Sequence, residues 1–205
     1  MRIAEFAHRH FIAKRRAHVL SSHLANWIPR DARVLDIGCG DGLVAHLIMR
    51  LRPDLSVQGI DVLVRGKTWI PVESFDGRHI PYGNASFDAV MFVDVLHHAE
   101  DAVGLLGEAL RVSRHAVLIK DHTLEGFLAG PTLRFMDRTG NLRHGVSLRY
   151  EYWSRQSWLR VFESLKAKAK WKHHLGLYPW PLKWVFERSL HFMARLEVGS
   201  VERSV

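Results

Sequence analysis

The chain has 205 residues, of which 47% are hydrophobic and 24% charged, values that fit one globular domain rather than a disordered chain. A single cysteine, Cys39, excludes an internal disulfide and a cysteine-based zinc site. The apolar runs are too short to span a membrane and residues 1–16 lack the pattern of a secretory signal, so a cytoplasmic protein is expected.

The net charge of +8 is unevenly distributed. Residues 1–50 and 151–205 carry +4 and +5, whereas residues 51–100 carry −3. Basic ends favour an anionic partner, which would be membrane lipid, nucleic acid or an acidic metabolite. The alternative is a solvated basic surface without a partner.

The first elements alternate between helix and strand. Apolar residues at imperfect helical spacing predict an N-terminal helical segment within residues 1–30. The apolar run Arg33–Ile37 predicts a buried strand that leads into glycines, and Leu43–Leu51 predicts a helix. Residues 55–60 predict a second strand, which ends at Asp61.

The alternation continues in the second half of the chain. Three further strands are predicted, over 69–75, 87–95 and 116–120. A helix over Ala102–Val112 separates the last two, and this order is typical of a parallel sheet with helices on both faces. Residues 121–153 break the rhythm and are predicted to form a substrate lid. A helix and two antiparallel closing strands follow, over 156–165, 166–174 and 190–196.

The most informative stretch is VLDIGCGDG, over residues 34–42. Its glycines let backbone N–H groups approach a ligand without an intervening Cβ. The spacing differs from the dinucleotide fingerprint, and Asp36 and Asp41 beside the loop disfavour a pyrophosphate. Asp61 ends the second strand, where a carboxylate can accept hydrogen bonds from both ribose hydroxyls. The two features together predict a ligand that contains a nucleoside.

This stretch, with FDAV over 87–90 and VLHH over 95–98, resembles the class I S-adenosylmethionine-dependent methyltransferases, in the group of small-molecule and quinone-type enzymes. The resemblance covers residues 20–120. It implies an α/β, Rossmann-like fold with a mostly parallel seven-stranded sheet and helices on both faces, in a single domain over 1–205. It also implies S-adenosylmethionine as cofactor and methyl transfer to a small-molecule acceptor. From the basic, tryptophan-bearing C-terminal region we expect this acceptor to be hydrophobic or membrane-associated.

The resemblance gives roles to individual residues. Asp36 would hold the ammonium end of the cofactor, and Gly38 and Gly40 would pass beneath its methionine part. Asp61 would bind the ribose hydroxyls. The remaining residues would surround the two ends of the cofactor: Val62, Asp76 and Gly77 at the adenine, Val93 and Asp94 at the methionine and methyl group. The alternative for the Asp-Gly pair is a simple turn.

Methyl transfer from a sulfonium needs no acid, so the protein supplies position, desolvation and, for some acceptors, a base. The candidate bases are histidines that follow the fourth and fifth strands, where such folds bind ligands: His97, His98 and His122. The alternative for the first two is helix packing or capping. The lid offers amide, imidazole and aromatic groups that could bind an acceptor: Asn141, His144, Tyr150, Tyr152 and Trp153. The alternative is that the lid only packs on the core.

The chain lacks sequence motifs that characterise other subclasses of methyltransferase. Nucleobase N-methyltransferases resemble one another in an Asn/Asp-Pro-Pro-aromatic motif after the fourth strand, where this chain has VDVL over 93–96. The one cysteine lies in the glycine loop, so nucleic acid is disfavoured as a substrate. Asp94 and Asp121 occupy the positions of magnesium carboxylates in catechol-type O-methyltransferases, but His122 replaces the adjacent Asn. No metal is predicted.

Four lysines alternate with small or apolar residues near the C-terminal end: Lys166, Lys168, Lys170 and Lys172. This pattern predicts a lysine-protected edge strand or a basic, tryptophan-bearing surface that docks on anionic membrane. Two rival functions stay open, a protein or nucleic-acid methyltransferase and a non-catalytic cofactor-binding scaffold or sensor. The sequence does not predict the oligomeric state.

Overall fold

The computed structural model describes the backbone of residues 2–141 and 151–198 and the side chains of residues 11–139 and 151–198. Its helices are α1 (Arg2–Ala25), α2 (Leu43–Leu51), α3 (Ala102–Val112), α4 (Ala129–Asn141), α5 (Arg155–Ser164) and α6 (Lys183–Phe186). Its strands are β1 (Arg33–Ile37), β2 (Ser56–Asp61), β3 (Val72–Ser74), β4 (Phe87–Val93), β5 (Ser113–His122), β6 (Lys168–Lys172) and β7 (His191–Glu197). A 3-10 turn covers Leu96–His98.

The strands form one sheet in the order β3-β2-β1-β4-β5-β7-β6, in which β7 alone among the described strands runs antiparallel to both of its neighbours. Ile37 pairs with Ile60 of β2 on one side and with Phe92 of β4 on the other. The parallel strands therefore end at one level. The loops that follow them meet at one edge of the sheet, where open α/β sheets bind ligands.

Successive residues of the central strands enter different hydrophobic cores. Val34 and Met91 pack into the core that α1, α2 and α4 cover. Leu35 and Phe92 pack into the core that α3 and α5 cover. The central strands carry apolar side chains towards both faces of the sheet, so a core forms on each face. The predicted fold class is confirmed.

Three predicted segments differ from the structure. Strand β3 covers only Val72–Ser74 instead of residues 69–75, because it lies at the sheet edge and pairs with three residues of β2. Strand β5 continues to His122, since β7 pairs with it along that length. Helix α4 occupies much of the segment that the sequence predicts as an irregular lid. None of the described helices is long and apolar enough to cross a membrane.

Helix α5 begins with a side-chain cap. Ser154 Oγ accepts a hydrogen bond from the backbone N–H of Ser157 at 3.1 Å. Replacing Ser154 with alanine should lower the free energy of unfolding by about 1 kcal/mol, because one N–H at the helix start loses its partner. Urea unfolding checks this value. Ser164→Ala in the last turn of the same helix is the matched control, and an equal loss there would contradict a capping role.

Candidate active site

The glycine loop follows β1 in a left-handed backbone conformation. Gly38, Gly40 and Gly42 have φ angles of 67°, 60° and 75°, which favour glycine. A Cβ at Gly38 would lie 2.7 Å from the Val95 side chain. The N–H of Gly38 donates to the carbonyl of Ile60 at 2.8 Å, which fixes the loop across the end of β2. A side chain at Gly38 would therefore collide with Val95, so this position of the loop requires glycine.

A cleft of about 490 Å³ opens beside this loop, within the size range of small-molecule sites. Its walls come from the glycine loop and from the segments that follow β2, β3 and β4. The lining residues are Gly38, Cys39, Gly40, Asp41, Asp61, Val62, Leu63, Arg65, Phe75, Gly77, Val93, Asp94, Val95, His98, Ala99 and Leu105.

Two carboxylates lie at the two ends of the loop. Asp36 is 2% exposed, and its Oδ1 has no hydrogen-bond partner among the described residues. Burial, and then the nearby charge of Asp61, raise the pKa of Asp36 well above its ordinary value. Asp61 Oδ2 accepts from the N–H of Gly40 at 2.8 Å, and its Oδ1 accepts from the N–H of Leu63 at 2.9 Å. A buried acid without a partner fits a cationic ligand group.

A family model described as a methyltransferase domain matches residues 7–176, more than half of the chain. The chain belongs to this methyltransferase family. An uncharacterized methyltransferase of Mycobacterium tuberculosis is 33% identical over 168 residues, which cover 77% of this chain and 72% of the relative. The 27-O-demethylrifamycin SV methyltransferase of Amycolatopsis mediterranei is 33% identical over 110 residues, 46% of this chain and 40% of that protein.

Solved structures share the fold at low identity. A chain of the complex between the Haloferax volcanii Trm112 methyltransferase activator and a methyltransferase has a TM-score of 0.67 and 12% identity, and the match covers 94% of each chain. The magnesium protoporphyrin IX methyltransferase of Synechocystis, solved with bound S-adenosylhomocysteine, has a TM-score of 0.57 and 13% identity over 90% of this chain and 84% of that one. The cofactor of this methyltransferase is S-adenosylmethionine.

Behind the cleft the methyltransferase contains a buried polar cluster, which extends from Asp94. The cluster consists of Arg16, Asp94, His97, Lys120, Asp121, His122, Asp137, Tyr152 and His191. Asp94 also lines the cleft, and its backbone has a φ of 58°. The cluster and the cofactor cleft therefore share a carboxylate.

Two cationic groups and one imidazole surround the Asp94 carboxylate. Lys120 Nζ donates a short hydrogen bond to Oδ1, and Arg16 Nη2 donates to Oδ2 at 3.1 Å. His122 Nε2 lies 3.4 Å from Oδ1. Burial alone would raise the pKa of Asp94, but the nearby Lys120, His122 and Arg16 hold it well below its ordinary value. This carboxylate is ionised at neutral pH and is a poor base.

A second ion pair joins β5 to the 3-10 turn. His97 Nδ1 lies 2.6 Å from Asp121 Oδ1, and His97 Nε2 lies 3.3 Å from Asp137 Oδ2. Burial would lower the pKa of His97, but the two carboxylates together raise it to about 10. His122 differs, because burial and the charge of Lys120 lower its pKa to about 3. In the cluster Arg16, Lys120 and protonated His97 balance Asp94, Asp121 and Asp137.

The predicted site residues fall into four groups. Those that line the cleft are Gly38, Gly40, Asp61, Val62, Gly77, Val93, Asp94 and His98. Those in the buried cluster are His97, His122 and Tyr152, with Asp94 shared. Asp36 lies buried at the start of the loop, and Trp153 packs on Trp158 with ring centroids 4.7 Å apart. The Asn141 side chain, His144 and Tyr150 lie outside the described residues.

The Asp76 carboxylate accepts hydrogen bonds from the residues that follow it in a tight turn. Its Oδ1 accepts from the N–H groups of Arg78 and His79, both at 2.7 Å. Its Oδ2 lies 3.0 Å from His79 Nδ1. These three hydrogen bonds, that from the His79 N–H first, lower the pKa of Asp76 to about 2. The carboxylate is about half exposed and does not line the cleft, whereas its neighbour Gly77 does.

Besides Asp121, which the sequence suggested only as a magnesium ligand, four members of the cluster were not predicted as site residues: Arg16, Lys120, Asp137 and His191. Lys120 carried a signal, because a lysine at the end of the apolar run AVLIK is unusual in a buried strand. Arg16 and Asp137 carried none, since each lies within a helix, away from the strand ends that the sequence analysis searched.

Cys39 lines the cleft and is the chain's one cysteine. Burial raises the pKa of its thiol, and the charges of Asp36 and Asp61 raise it further. Because the thiolate is the reactive form, Cys39 should react with a disulfide reagent at pH 8 more than about tenfold slower in the folded protein than in denaturant. Thiol release followed by absorbance measures both rates, and equal rates would contradict the prediction.

Proposed function

We propose that the protein transfers a methyl group from S-adenosylmethionine to a small-molecule acceptor that is hydrophobic and reaches the enzyme from a membrane surface. The observation that carries the proposal is the position of Asp94 and His98 on the wall of the cofactor cleft, directly against the buried polar cluster. A methyl group in the cleft would thus lie beside polar groups that can orient an acceptor.

The cleft residues fit the parts of the cofactor. The Asp36 carboxylate, whose Oδ1 has no partner among the described residues, suits the ammonium group, and Gly38 and Gly40 line the cleft where the methionine part would lie. Asp61 suits the ribose hydroxyls, and Val62 and Gly77 suit the adenine. We place the methionine and methyl end at Val93 and Asp94.

The cofactor supplies a methyl group on a sulfonium, which needs no acid to leave. The protein has to orient the acceptor, exclude water and lower the cost of losing an acceptor proton. Of the three candidate histidines, His98 lines the cleft, whereas His97 and His122 are buried. His97 is protonated between two carboxylates, which disfavours it as a base. We therefore place the reacting atom of the acceptor beside His98.

The proposal includes a pH dependence of cofactor binding. Asp36 has a raised pKa in the free protein, and only its ionised form pairs with an ammonium group. As the pH falls through this pKa, the carboxyl group becomes protonated, so affinity for S-adenosylmethionine should fall. Calorimetric titrations over a pH series, in buffers of different ionisation enthalpy, measure the affinity and the protons released. Affinity that is constant with falling pH would contradict the assignment to Asp36.

The hydrophobic acceptor is supported by an apolar surface outside the cluster. We call it the α4–α6 patch, and its exposed members are Phe127, Leu128, Phe135, Trp180, Trp184 and Val185. Phe127 and Trp180 are 82% and 76% exposed. The ring of Phe135 stacks on that of Phe186 at 6.2 Å, and Arg188 donates to the carbonyl of Phe127 at 2.8 Å, so the two segments form one surface.

The charges around the patch are mainly positive. Arg134, Arg138, Lys183 and Arg188 lie in the same two segments, whereas the carboxylates Asp137 and Glu187 there are buried. Aromatic residues beside cations are typical of surfaces that bind anionic membranes. The lysine strand β6 lies instead at the sheet edge, with Lys168 and Lys170 exposed and Trp171 packed on Phe192.

Vesicle sedimentation tests the membrane part. Protein should sediment with phosphatidylglycerol vesicles, and the variant Phe127→Ser/Trp184→Ser should lose most of this binding. Trp69→Ser, on an exposed tryptophan outside the patch, is the matched control. Equal binding by the variant and the control, or no binding by the wild type, would contradict the membrane part and leave methyl transfer to be tested separately.

Labelled cofactor tests the activity itself. The protein should transfer a labelled methyl group into an organic-soluble fraction of metabolites or lipids, and not into separate protein or RNA pools. Label in protein or RNA would instead support the macromolecular alternative. Cofactor binding without transfer into any pool would support a non-catalytic scaffold or sensor.

A further inference from the structure

Three metal-ligating side chains converge between the cleft and the buried polar cluster. The donor atoms of His97, His98 and Asp137 all lie within 4.8 Å of one another. His97 Nε2 and Asp137 Oδ2 are 3.3 Å apart. Two ligand atoms of a tetrahedral zinc ion, each about 2.0–2.1 Å from the metal, are separated by roughly 3.4 Å. The observed separation therefore already matches a pair of metal ligands.

The 3-10 turn brings the two adjacent imidazoles together. The ring centroids of His97 and His98 lie 3.9 Å apart, which is unusual for neighbours in sequence and follows from the tight turn Leu96–His98. Asp137 reaches them from α4, a separate element of the chain. Three ligands from two elements leave further coordination positions that can be filled by water or by an acceptor.

Asp121 fixes the orientation of the His97 ring. Its Nδ1 lies 2.6 Å from Asp121 Oδ1, while Asp121 Oδ2 accepts from the N–H of Leu96 at 3.0 Å. Ligating histidines are commonly held by a carboxylate on the second ring nitrogen, which fixes the tautomer. His97 Nε2 is buried and makes no well-formed hydrogen bond within the described residues. It is directed towards Asp137.

We propose that His97, His98 and Asp137 bind a divalent transition-metal ion of the zinc type, a site that the sequence did not predict. The two carboxylates that the sequence suggested as magnesium ligands are engaged elsewhere. Asp94 pairs with Lys120 and Arg16, and Asp121 holds His97 in place. Imidazole nitrogens with one carboxylate suit zinc, cobalt and iron better than magnesium.

The charge of the cluster indicates what the ion would bind. Arg16 and Lys120 balance the charges of Asp94 and Asp121, and Asp137 offsets one of the two charges of a divalent ion. One positive charge is left in excess, which an anionic oxygen of the acceptor would neutralise. Because His98 lines the cleft, this oxygen would lie near the methyl donor. This step rests on the proposed function, and it selects acceptors with a hydroxyl group, such as phenols or enols.

The corresponding reaction is balanced without another reagent. The metal lowers the pKa of the bound hydroxyl, whose proton passes to water. A lone pair on the oxygen forms the new bond to the methyl carbon. The carbon–sulfur bond breaks, and the sulfur keeps its electron pair as the neutral thioether.

Metal binding can be measured without methyl transfer. Tag-free protein, freed of metal with a chelator, is titrated with Zn²⁺ by calorimetry and with Co²⁺ by visible absorption, where d–d bands report nitrogen and oxygen ligands. We expect one equivalent to bind and the thermal midpoint to rise. His98→Gln and Asp137→Asn should weaken Zn²⁺ binding by more than about tenfold. His79→Gln and Asp76→Asn are matched controls, since they alter an exposed His–Asp pair.

No binding of Zn²⁺ or Co²⁺ by the folded wild type at about 1 mM would overturn the proposal. Binding that is equal in His98→Gln, Asp137→Asn and the controls would overturn it as well. Circular dichroism identifies any variant that fails to fold. His98→Gln is the safer variant, because this side chain is only partly buried. Both readouts are independent of whether an acceptor is ever methylated.

Discussion

Replacing Lys120 with methionine should lower the free energy of unfolding by about 3 kcal/mol. Lys120 is fully buried, and its ammonium group bonds to Asp94 and lies 3.3 Å from His191 Nδ1. Methionine keeps the apolar stem and removes the charge. Breaking a buried pair costs about 3–5 kcal/mol, since one charge loses its compensation. We expect the lower value because Arg16 still faces Asp94.

Urea unfolding measures this loss. Lys168→Met, at an exposed lysine of β6, should change stability by less than about 0.5 kcal/mol. The double variant Lys120→Met/Asp94→Asn removes both charges and should be less destabilised than the sum of the single variants by about 1–3 kcal/mol. Additive losses would show that the two groups do not stabilise each other.

Replacing Asp61 with alanine should weaken binding of S-adenosylmethionine by roughly 100-fold. The proposed role gives this carboxylate two hydrogen bonds to ribose hydroxyls, and hydrogen bonds to charged groups contribute about 1.5–3 kcal/mol each. Every 1.4 kcal/mol is about tenfold in affinity. The substitution also removes the acceptor for the N–H of Gly40, which loosens the glycine loop.

Calorimetric titration of the cofactor and of S-adenosylhomocysteine measures the effect. Asp54→Ala is the matched control, because Asp54 also accepts a backbone N–H, from Asp31 at 3.0 Å, but lies outside the lining of the cleft. An unchanged dissociation constant for Asp61→Ala would remove Asp61 from the proposed site. An equal loss in Asp54→Ala would indicate a general loss of stability.

The central elements could be predicted from the sequence because their signals are local. The apolar run of β1 and the apolar periodicity of α3 give the same bounds in the sequence and in the structure. Helix α4 was missed because Gly130 and Pro131 look like breakers. In the first turn of a helix, however, the N–H that proline lacks has no intrahelical acceptor in any case. Its buried residues Leu133 and Met136 give too short a pattern to reveal it.

Only the part of the candidate site that lies at the ends of the parallel strands could be predicted from the sequence. Strand ends place Asp61, Asp94 and His98 at one edge of the sheet, and this follows from topology alone. Arg16 and Asp137 reach the same place through tertiary packing of α1 and α4, which no spacing in the sequence encodes. The protonation of His97 likewise depends on two carboxylates that are distant from it in sequence.

The position of β7 affects how the chain is synthesised and folded. This strand lies inside the sheet, between β5 and β6, although it is the last strand in chain order. Until residues 191–197 have left the ribosome, β5 has an unpaired edge that includes Val117, Leu118 and Ile119. An unpaired apolar edge can pair with another chain. A chain that has not yet placed β7 between β5 and β6 therefore exposes an edge through which it can aggregate.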